Sequence, residues 1–177
     1  EGVNPNNRTF VLMIQACCLL AEQEKSILVN GKHVKVLALE AAYCMHTKIE
    51  MKGIVKDKFL SNSLMKLYSK CGSVGEVQRV FNQYEYRDVV SWNTLISGYA
   101  QNGLGDEALE CFRQMRFAGV CPNVVTSVSV LQACGIVGSL KVGEEIEAEI
   151  RKQGLLEKNV VLGTALVDMY SKCGALE

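Results

Sequence analysis

The pentapeptide Tyr68-Ser69-Lys70-Cys71-Gly72 recurs without change 102 residues later as Tyr170-Ser171-Lys172-Cys173-Gly174. This spacing is too long for one helical hairpin and fits three of them. The preceding segments keep the same phase, because Asn-Ser-Leu-Met at 62–65 aligns with Thr-Ala-Leu-Val at 164–167. Such internal repetition predicts a solenoid, in which neighbouring repeats bury one another's apolar faces and line a common groove.

Composition and charge are those of a folded protein. The 177 residues are 49% hydrophobic and 21% charged, which is enough to bury a continuous core. Because the 19 basic and 19 acidic side chains cancel, nucleic-acid binding would need a shaped groove and not a net positive field. No apolar run approaches the roughly 18 residues of a membrane helix, so we expect no membrane partner. The chain begins at Glu1 without a methionine, so we treat it as a fragment in which targeting cannot be judged.

The eight cysteines follow the repeat and not a disulfide framework. Cys17 aligns with Cys134, and Cys71 with Cys173, which predicts small buried residues in a reducing compartment. There is no Cys-x-x-Cys pair and neither histidine has zinc-ligand spacing, so we expect no metal and no cofactor. No nucleophile and base share a predicted face, so we expect this segment to be neither an enzyme nor a binder of small-molecule substrates.

Apolar spacing divides the chain into helical hairpins. In the unit 89–123, Trp92, Leu95 and Tyr99 share one helix face, which places Trp92 in the core and not on a base-stacking surface. Asp106 is the predicted N-cap of the second helix of this unit. The same pattern predicts units at 58–88, at 124–159 and at 160–177, the last of which breaks off before its second helix.

The first complete unit, 7–57, carries an insertion. Gln15-Ala16-Cys17 aligns with Gln132-Ala133-Cys134, yet this unit has 51 residues where 124–159 has 36, and the extra residues lie near 23–37. Asn30-Gly31 between apolar-rich arms predicts a β-hairpin turn. We expect a surface hairpin or a disordered loop that the fold tolerates; a functional contact by the insertion is the alternative.

Unit lengths of 31, 35 and 36 residues, with the segments VVSWNTLISGY at 89–99 and GVCPN at 119–123, closely resemble pentatricopeptide repeats of the plant P, L and S subclasses. The resemblance covers 1–177 and implies an all-α fold, a right-handed α-solenoid of helix-turn-helix repeats that forms a superhelix like that of tetratricopeptide repeats. It assigns 1–6 to the tail of a P repeat, 7–57 to an L repeat, 58–88 to an S repeat, 89–123 to a P repeat, 124–159 to an L repeat and 160–177 to a truncated S repeat.

Proteins of this family bind single-stranded RNA, one base per repeat, and this subclass is typical of organellar factors for cytidine-to-uridine editing. The resemblance therefore implies an RNA reader in a mitochondrion or chloroplast, with organellar RNA as its partner and other editing factors as further candidates. The His-x-Glu and Pro-Cys-x-x-Cys elements of a zinc deaminase are absent, so a catalytic domain would have to follow Glu177. The alternative is a helical-repeat scaffold that binds another protein.

Family repeats read a base with a polar residue on the first helix and with the last residue of the repeat. An ionised aspartate only accepts hydrogen bonds, which suits the imino N–H of uracil or guanine, whereas asparagine can donate to the ring nitrogen of cytosine or adenine. In the family, asparagine on the helix favours a pyrimidine. The resemblance therefore assigns U to Asn62 with Asp88, and C to Asn93 with Asn123.

The remaining positions carry weaker assignments. By the family pattern Thr164 favours a purine. Val11 with Asp57, and Val128 with Asn159, should discriminate weakly because valine offers no hydrogen-bonding group. Each polar position has an alternative, since the helix residues could be solvated and Asp88 could be only a helix cap. The residues expected to pack on bases are Phe59, Val90, Val125 and Val161.

Overall fold

The computed structural model of the chain describes residues 5–29, 31–54, 57–83 and 87–175. Within them the predicted all-α, helical-repeat fold class is confirmed, because helices dominate and only two three-residue strands occur. None of the described helices is long and apolar enough to cross a membrane. The helices are α1 (Asn7–Gln23), α2 (Val36–Met51), α3 (Lys58–Lys70), α4 (Val74–Gln83), α5 (Val89–Gln101), α6 (Gly105–Phe117), α7 (Val124–Val137), α8 (Leu140–Lys152) and α9 (Val160–Lys172).

Three expectations concern residues that the structure does not describe. They are the residues at 1–4 in the predicted P-repeat tail, Asn30 in the predicted turn, and Tyr84, which the apolar spacing places on the second helix of 58–88. The chain divides into two compact units, Glu1–Arg87 and Asp88–Glu177.

The first unit is built around α3. This helix packs against α1, α2 and α4, and α1 also packs against α2. Its apolar residues recur every three or four positions, so one face of the helix is completely buried. The core combines that face with apolar side chains of the neighbouring helices: Phe10, Ile14, Ala21, Ile49, Leu60, Leu64, Leu67 and Val77.

The insertion folds as the predicted hairpin. Strand β1 (Ile27–Val29) pairs antiparallel with β2 (Lys32–Val34), and Ile27 lies opposite Val34. Gly31 has a φ of 77°, the left-handed conformation that a tight hairpin turn requires and that glycine adopts without strain. The β1 side chains are exposed to solvent.

The hairpin is attached to the turn between α3 and α4. The backbone N–H of Lys35 donates to the carbonyl oxygen of Cys71 at 3.2 Å, and the Lys35 ammonium donates to the carbonyl oxygen of Ala21. Gly72 has a φ of 79°, and a Cβ at this position would overlap the carbonyl oxygen of His33. The second copy of the pentapeptide differs, since a Cβ at Gly174 would meet nothing within 4 Å.

The second unit repeats the hairpin packing. Helix α5 packs against α6 and α7, and α7 packs against α8 and α9. Trp92 is 3% exposed, which confirms its predicted place in the core. The predicted N-cap Asp106 is wrong, because α6 begins at Gly105 and its N-cap is Leu104. The early start brings a residue without a side chain against α7, where a Cβ on Gly105 would lie 2.9 Å from the carbonyl oxygen of Ala133.

The cysteines are all free, and most of them are buried as predicted. Cys17, Cys18, Cys71, Cys111 and Cys134 are buried, whereas Cys44 and Cys121 are exposed and Cys173 is half-buried. Burial raises the pKa of the Cys71, Cys111 and Cys134 thiols to about 12. These thiols are therefore protonated and unreactive at neutral pH.

Candidate nucleic-acid interface

The predicted base-packing residues occupy the same place in alternate helices. Phe59, Val90, Val125 and Val161 are each the second residue of α3, α5, α7 and α9. All four are exposed, Phe59 to 72% and Val125 to 55%. Large apolar side chains that remain in solvent at one repeated position are available to a ligand with an apolar face.

The predicted last-residue readers are also helix caps. Asp57 Oδ1 accepts from the Leu60 backbone N–H at 3.0 Å. Asp88 Oδ1 accepts from two N–H groups of α5, and Asn123 Oδ1 accepts from the Thr126 N–H at 3.1 Å. Asp88 is therefore a helix cap, as are Asp57 and Asn123, and capping does not exclude reading. A cap engages one oxygen and fixes the direction in which the other polar atom points.

The cap determines which face Asn123 presents. A backbone N–H can only donate, so the atom that faces Thr126 N–H must be the side-chain oxygen of Asn123 and not its nitrogen. Among the residues that the structure describes, no hydrogen bond from Asn123 Nδ2 is found, and the residue is exposed. Asn123 therefore offers a hydrogen-bond donor to the outside.

Asn93 lies behind Asn123 and is 8% exposed. Its Nδ2 donates to Asn123 Oδ1 at 3.0 Å, and its Oδ1 accepts from the Thr126 hydroxyl at 2.6 Å. The backbone N–H of Asn123 donates to the same hydroxyl oxygen at 3.0 Å. The structure thus brings the predicted pair of the P repeat together through direct hydrogen bonds.

Thr126 is a residue that the sequence analysis missed. It is fully buried and forms a capping box with Asn123, because each residue's side chain bonds the other's backbone N–H. The available signal was a polar side chain three residues after Asn123, the position that closes a capping box, although the usual residue there is Glu or Gln. The bond from Thr126 to Asn93 joins residues 33 positions apart, and no local pattern reports it.

The pair Val128 and Asn159 differs from the pair Asn93 and Asn123. Asn159 is the N-cap of α9, but its side chain makes no capping hydrogen bond. Val128 is half-buried and has no polar atom in its side chain. Thr164, the predicted purine reader, is exposed and its hydroxyl donates to the Val160 carbonyl oxygen at 3.1 Å.

The first unit contains a second residue that was missed. Asn7 Nδ2, one turn before Val11 on α1, donates to Asp57 Oδ2 at 2.9 Å, so Asp57 has a polar side-chain partner other than the predicted Val11. Val11 itself is half-buried. Asn62 lies on α3, and its Oδ1 is buried with no hydrogen-bond partner in the described part of the chain. A buried oxygen without a hydrogen-bond partner lowers the stability of the fold, so a ligand group that donates a hydrogen bond to Asn62 Oδ1 would be bound favourably.

No group of three or more His, Cys, Asp or Glu residues that could hold a metal ion occurs among the described residues. The predicted interface residues carry amide, carboxylate and hydroxyl groups together with exposed apolar side chains. Such groups can bond base edges and pack on base faces.

Comparison with known proteins gives a consistent result. A family model described as PPR repeat family matches residues 87–135, and one described as PPR repeat matches 59–89. A pentatricopeptide repeat-containing protein of Arabidopsis thaliana is 34% identical over 177 residues, which is 100% of this chain and 23% of that protein. A chloroplastic and a mitochondrial protein of this name from the same plant are each 36% identical over 96% of the chain, and the chain spans 25% and 22% of their lengths.

Solved structures share the fold. The crystal structure of the pentatricopeptide repeat protein PPR10 from maize matches 97% of this chain and 22% of that chain, with a TM-score of 0.64 and 25% identity. PPR10 in complex with an 18-nucleotide psaJ RNA element matches 96% of this chain and 23% of that chain, with a TM-score of 0.69 and 24% identity.

Proposed function

Because the chain belongs to the pentatricopeptide repeat family, we propose that it binds single-stranded RNA and reads one base with each repeat. The proposal draws on a fold shared with PPR10, which has been crystallised with RNA. The observation that carries it here is the hydrogen-bonded arrangement of Asn93 and Asn123, which leaves one amide donor facing outward.

That donor favours cytosine at the P repeat. The ring nitrogen N3 of cytosine accepts a hydrogen bond and so matches Nδ2 of Asn123, whereas the imino N–H of uracil or guanine would meet a second donor. The side chains of Val90 and Val125 are exposed and can pack on base faces. Asn93, which favours a pyrimidine by the family pattern, completes the choice of cytosine over adenine.

The same matching of hydrogen-bond donors and acceptors assigns uracil to the S repeat at 58–88. Asp88 carries two oxygens and no hydrogen when ionised, so it can only accept, and the imino N–H of uracil can donate to it. One of these oxygens caps α5. The two L repeats are assigned little or no discrimination, because Val11 and Val128 cannot bond a base edge.

The resemblance to the P, L and S subclass supports a narrower proposal. We assign the chain to the P, L and S subclass and propose that it is the recognition part of an organellar RNA-processing factor, in the editing class. Relatives named chloroplastic and mitochondrial support a place in one of these organelles. Chemistry on the RNA would belong to a catalytic domain elsewhere or to a partner protein.

A binding panel tests the proposal. The full-length protein is titrated with RNAs of equal length that differ only at two adjacent positions, in all combinations of bases. We expect tightest binding for U followed by C in the 5′ to 3′ direction, with about a tenfold loss for a wrong base at either position. Equal binding to every RNA and to a double-stranded control would refute sequence reading and leave the protein-binding scaffold as the better account.

A further inference from the structure

We infer that Thr126 is a positioning residue that determines base specificity at Asn93 and Asn123, although it lies on α7, the helix that follows their hairpin. The inference rests on the RNA-reading function proposed above. Thr126 is completely buried, so it acts only through the two asparagines and never touches the base.

The Thr126 hydroxyl connects the two reading residues from the inside. It has one proton, and the shorter of its two acceptor contacts is to Asn93 Oδ1 at 2.6 Å, against 3.2 Å to Asn123 Oδ1. Its oxygen accepts from the Asn123 backbone N–H at 3.0 Å. One hydroxyl therefore satisfies both a buried side-chain acceptor and a backbone donor of the pair.

These bonds fix the orientation of both side-chain amides, first that of Asn123 and then that of Asn93. The backbone N–H of Thr126 requires Asn123 Oδ1 to point inward. An inward oxygen requires a donor opposite it, so Asn93 must turn Nδ2 toward Asn123. Asn93 Oδ1 then needs a donor of its own, and the Thr126 hydroxyl is that donor. Without the hydroxyl, Asn93 Oδ1 loses its donor in a buried position, and only the bond from Nδ2 to Asn123 Oδ1 still holds the Asn93 amide in this orientation.

Other helix starts in the chain provide internal comparisons. Asn6 and Thr9 at the start of α1 form a similar cap, in which Asn6 Oδ1 accepts from the Thr9 backbone N–H at 2.9 Å and from the Thr9 hydroxyl at 3.0 Å. At the start of α9 the residue in Thr126's place is Leu162, and there the side chain of Asn159 makes no capping hydrogen bond. The side chain of Asn159 is thus not fixed by a capping hydrogen bond. The side chains of Asn6 and Asn123, each followed three residues later by threonine, are fixed in this way.

The test compares two substitutions at Thr126 in the full-length protein. Thr126→Val keeps the shape of the side chain and removes the hydroxyl, and Thr126→Ser keeps the hydroxyl and removes the methyl group. For each variant the affinity is measured for RNAs with C, U, A or G at the position read by Asn123. We expect Thr126→Val to reduce the preference for C by about tenfold and Thr126→Ser to retain it. Preference at the base read by Asp88 should be unchanged in both.

The outcomes separate the two proposals. If the unsubstituted protein prefers C and Thr126→Val prefers it equally, the role of Thr126 is refuted and RNA reading stands. If the unsubstituted protein shows no preference at this position, both are refuted. A second measurement needs no variant: side-chain amide hydrogen exchange of the RNA-free protein by NMR should be slower for Asn93 than for Asn159, and equal rates would overturn the inference.

Discussion

The side-chain nitrogen of Asn93 donates to Oδ1 of Asn123 at 3.0 Å, and this bond joins the two residues of the candidate P-repeat reader. A preassembled pair loses less side-chain freedom on binding than two independent residues would, which favours affinity and fixes the pattern that a base must match. Within the pair Asn93 is buried and Asn123 is exposed, so Asn123 is the residue that a ligand can reach.

Asn93, the residue of this pair that lies on the first helix, should determine whether the pair prefers a pyrimidine or a purine. Asn93→Thr introduces the residue found at Thr164, a shorter side chain that leaves room for a purine, while Asn123 keeps its donor. We expect the preferred base to change from C to A, because both present a ring-nitrogen acceptor. The measurement is the affinity for four RNAs that differ at this position.

Asn93→Val is the matched control for that substitution, since it copies the residue at Val128. It should weaken discrimination among the four bases without selecting a new one. A variant that still prefers C as strongly as the original protein would show that Asn93 has no part in reading.

Phe59 should contribute affinity without sequence information. The ring is 72% exposed, so Phe59→Ala should leave the free energy of unfolding within about 0.5 kcal/mol of the original. Loss of stacking should weaken binding to every RNA by a similar factor, corresponding to about 1 to 3 kcal/mol. Titration of the RNA panel measures this directly.

Phe117→Ala provides the control for that experiment. Phe117 is the last residue of α6 and is 97% exposed, yet it has no assigned place in the interface. Its substitution should leave RNA affinity unchanged. If both phenylalanine variants weaken binding equally, the contribution of Phe59 is a general surface effect and not base packing.

Gly72 should be far less tolerant of substitution than other turn glycines of the first unit. Gly72→Ala introduces both the strain of a positive φ and an overlap with the backbone of His33, so we expect a loss of at least about 3 kcal/mol in the free energy of unfolding. Gly53→Ala is the control, because its φ is 67° and its Cβ would meet nothing within 4 Å. It should cost about 1 to 2 kcal/mol. Similar losses in urea unfolding would mean that the hairpin does not pack on the Gly72 turn.

His46 should make the stability of the first unit depend on pH. Its side chain is buried, Nδ1 lies 3.0 Å from the Tyr68 hydroxyl, and Nε2 lies 3.5 Å from a Glu50 carboxylate oxygen. Burial lowers the pKa of the His46 imidazole, although Glu50 opposes this. In the unfolded chain His46 therefore binds a proton at about pH 6.5, whereas in the folded chain it binds one only at lower pH.

The expected consequence has a definite sign. The contribution of neutral His46 is fully present above about pH 6.5 and is lost as the pH falls from there toward the lowered folded pKa. Urea unfolding at about pH 7.5 and about pH 5.5 should show a fall in stability that is smaller in His46→Gln. An identical fall in both proteins would assign the pH dependence to other groups.

Local sequence patterns predicted the helices, the buried Trp92 and the hairpin at Asn30-Gly31, because each depends on residues close together in the chain. The predicted start of α6 is wrong because the helix begins at Gly105, which packs closely on Ala133 of α7, and this contact across helices is not visible in the local capping pattern at Asp106. Thr126 and Asn7 were missed for a similar reason: their bonds to Asn93 and Asp57 span 33 and 50 positions. The periodicity of a sequence shows which residues lie on the same face of a helix, but it does not show which residue of another repeat each of them contacts.

The substitution Asn123→Asp tests the central claim most directly. Aspartate can keep both inward hydrogen bonds, from Thr126 N–H and from Asn93 Nδ2, while the outward atom changes from a donor to an acceptor. Measured against RNAs that differ only at this position, the preferred base should change from C to U, with the preference at the Asp88 position unaltered. An unchanged preference for C would contradict the reading role of Asn123 and with it the proposed mechanism.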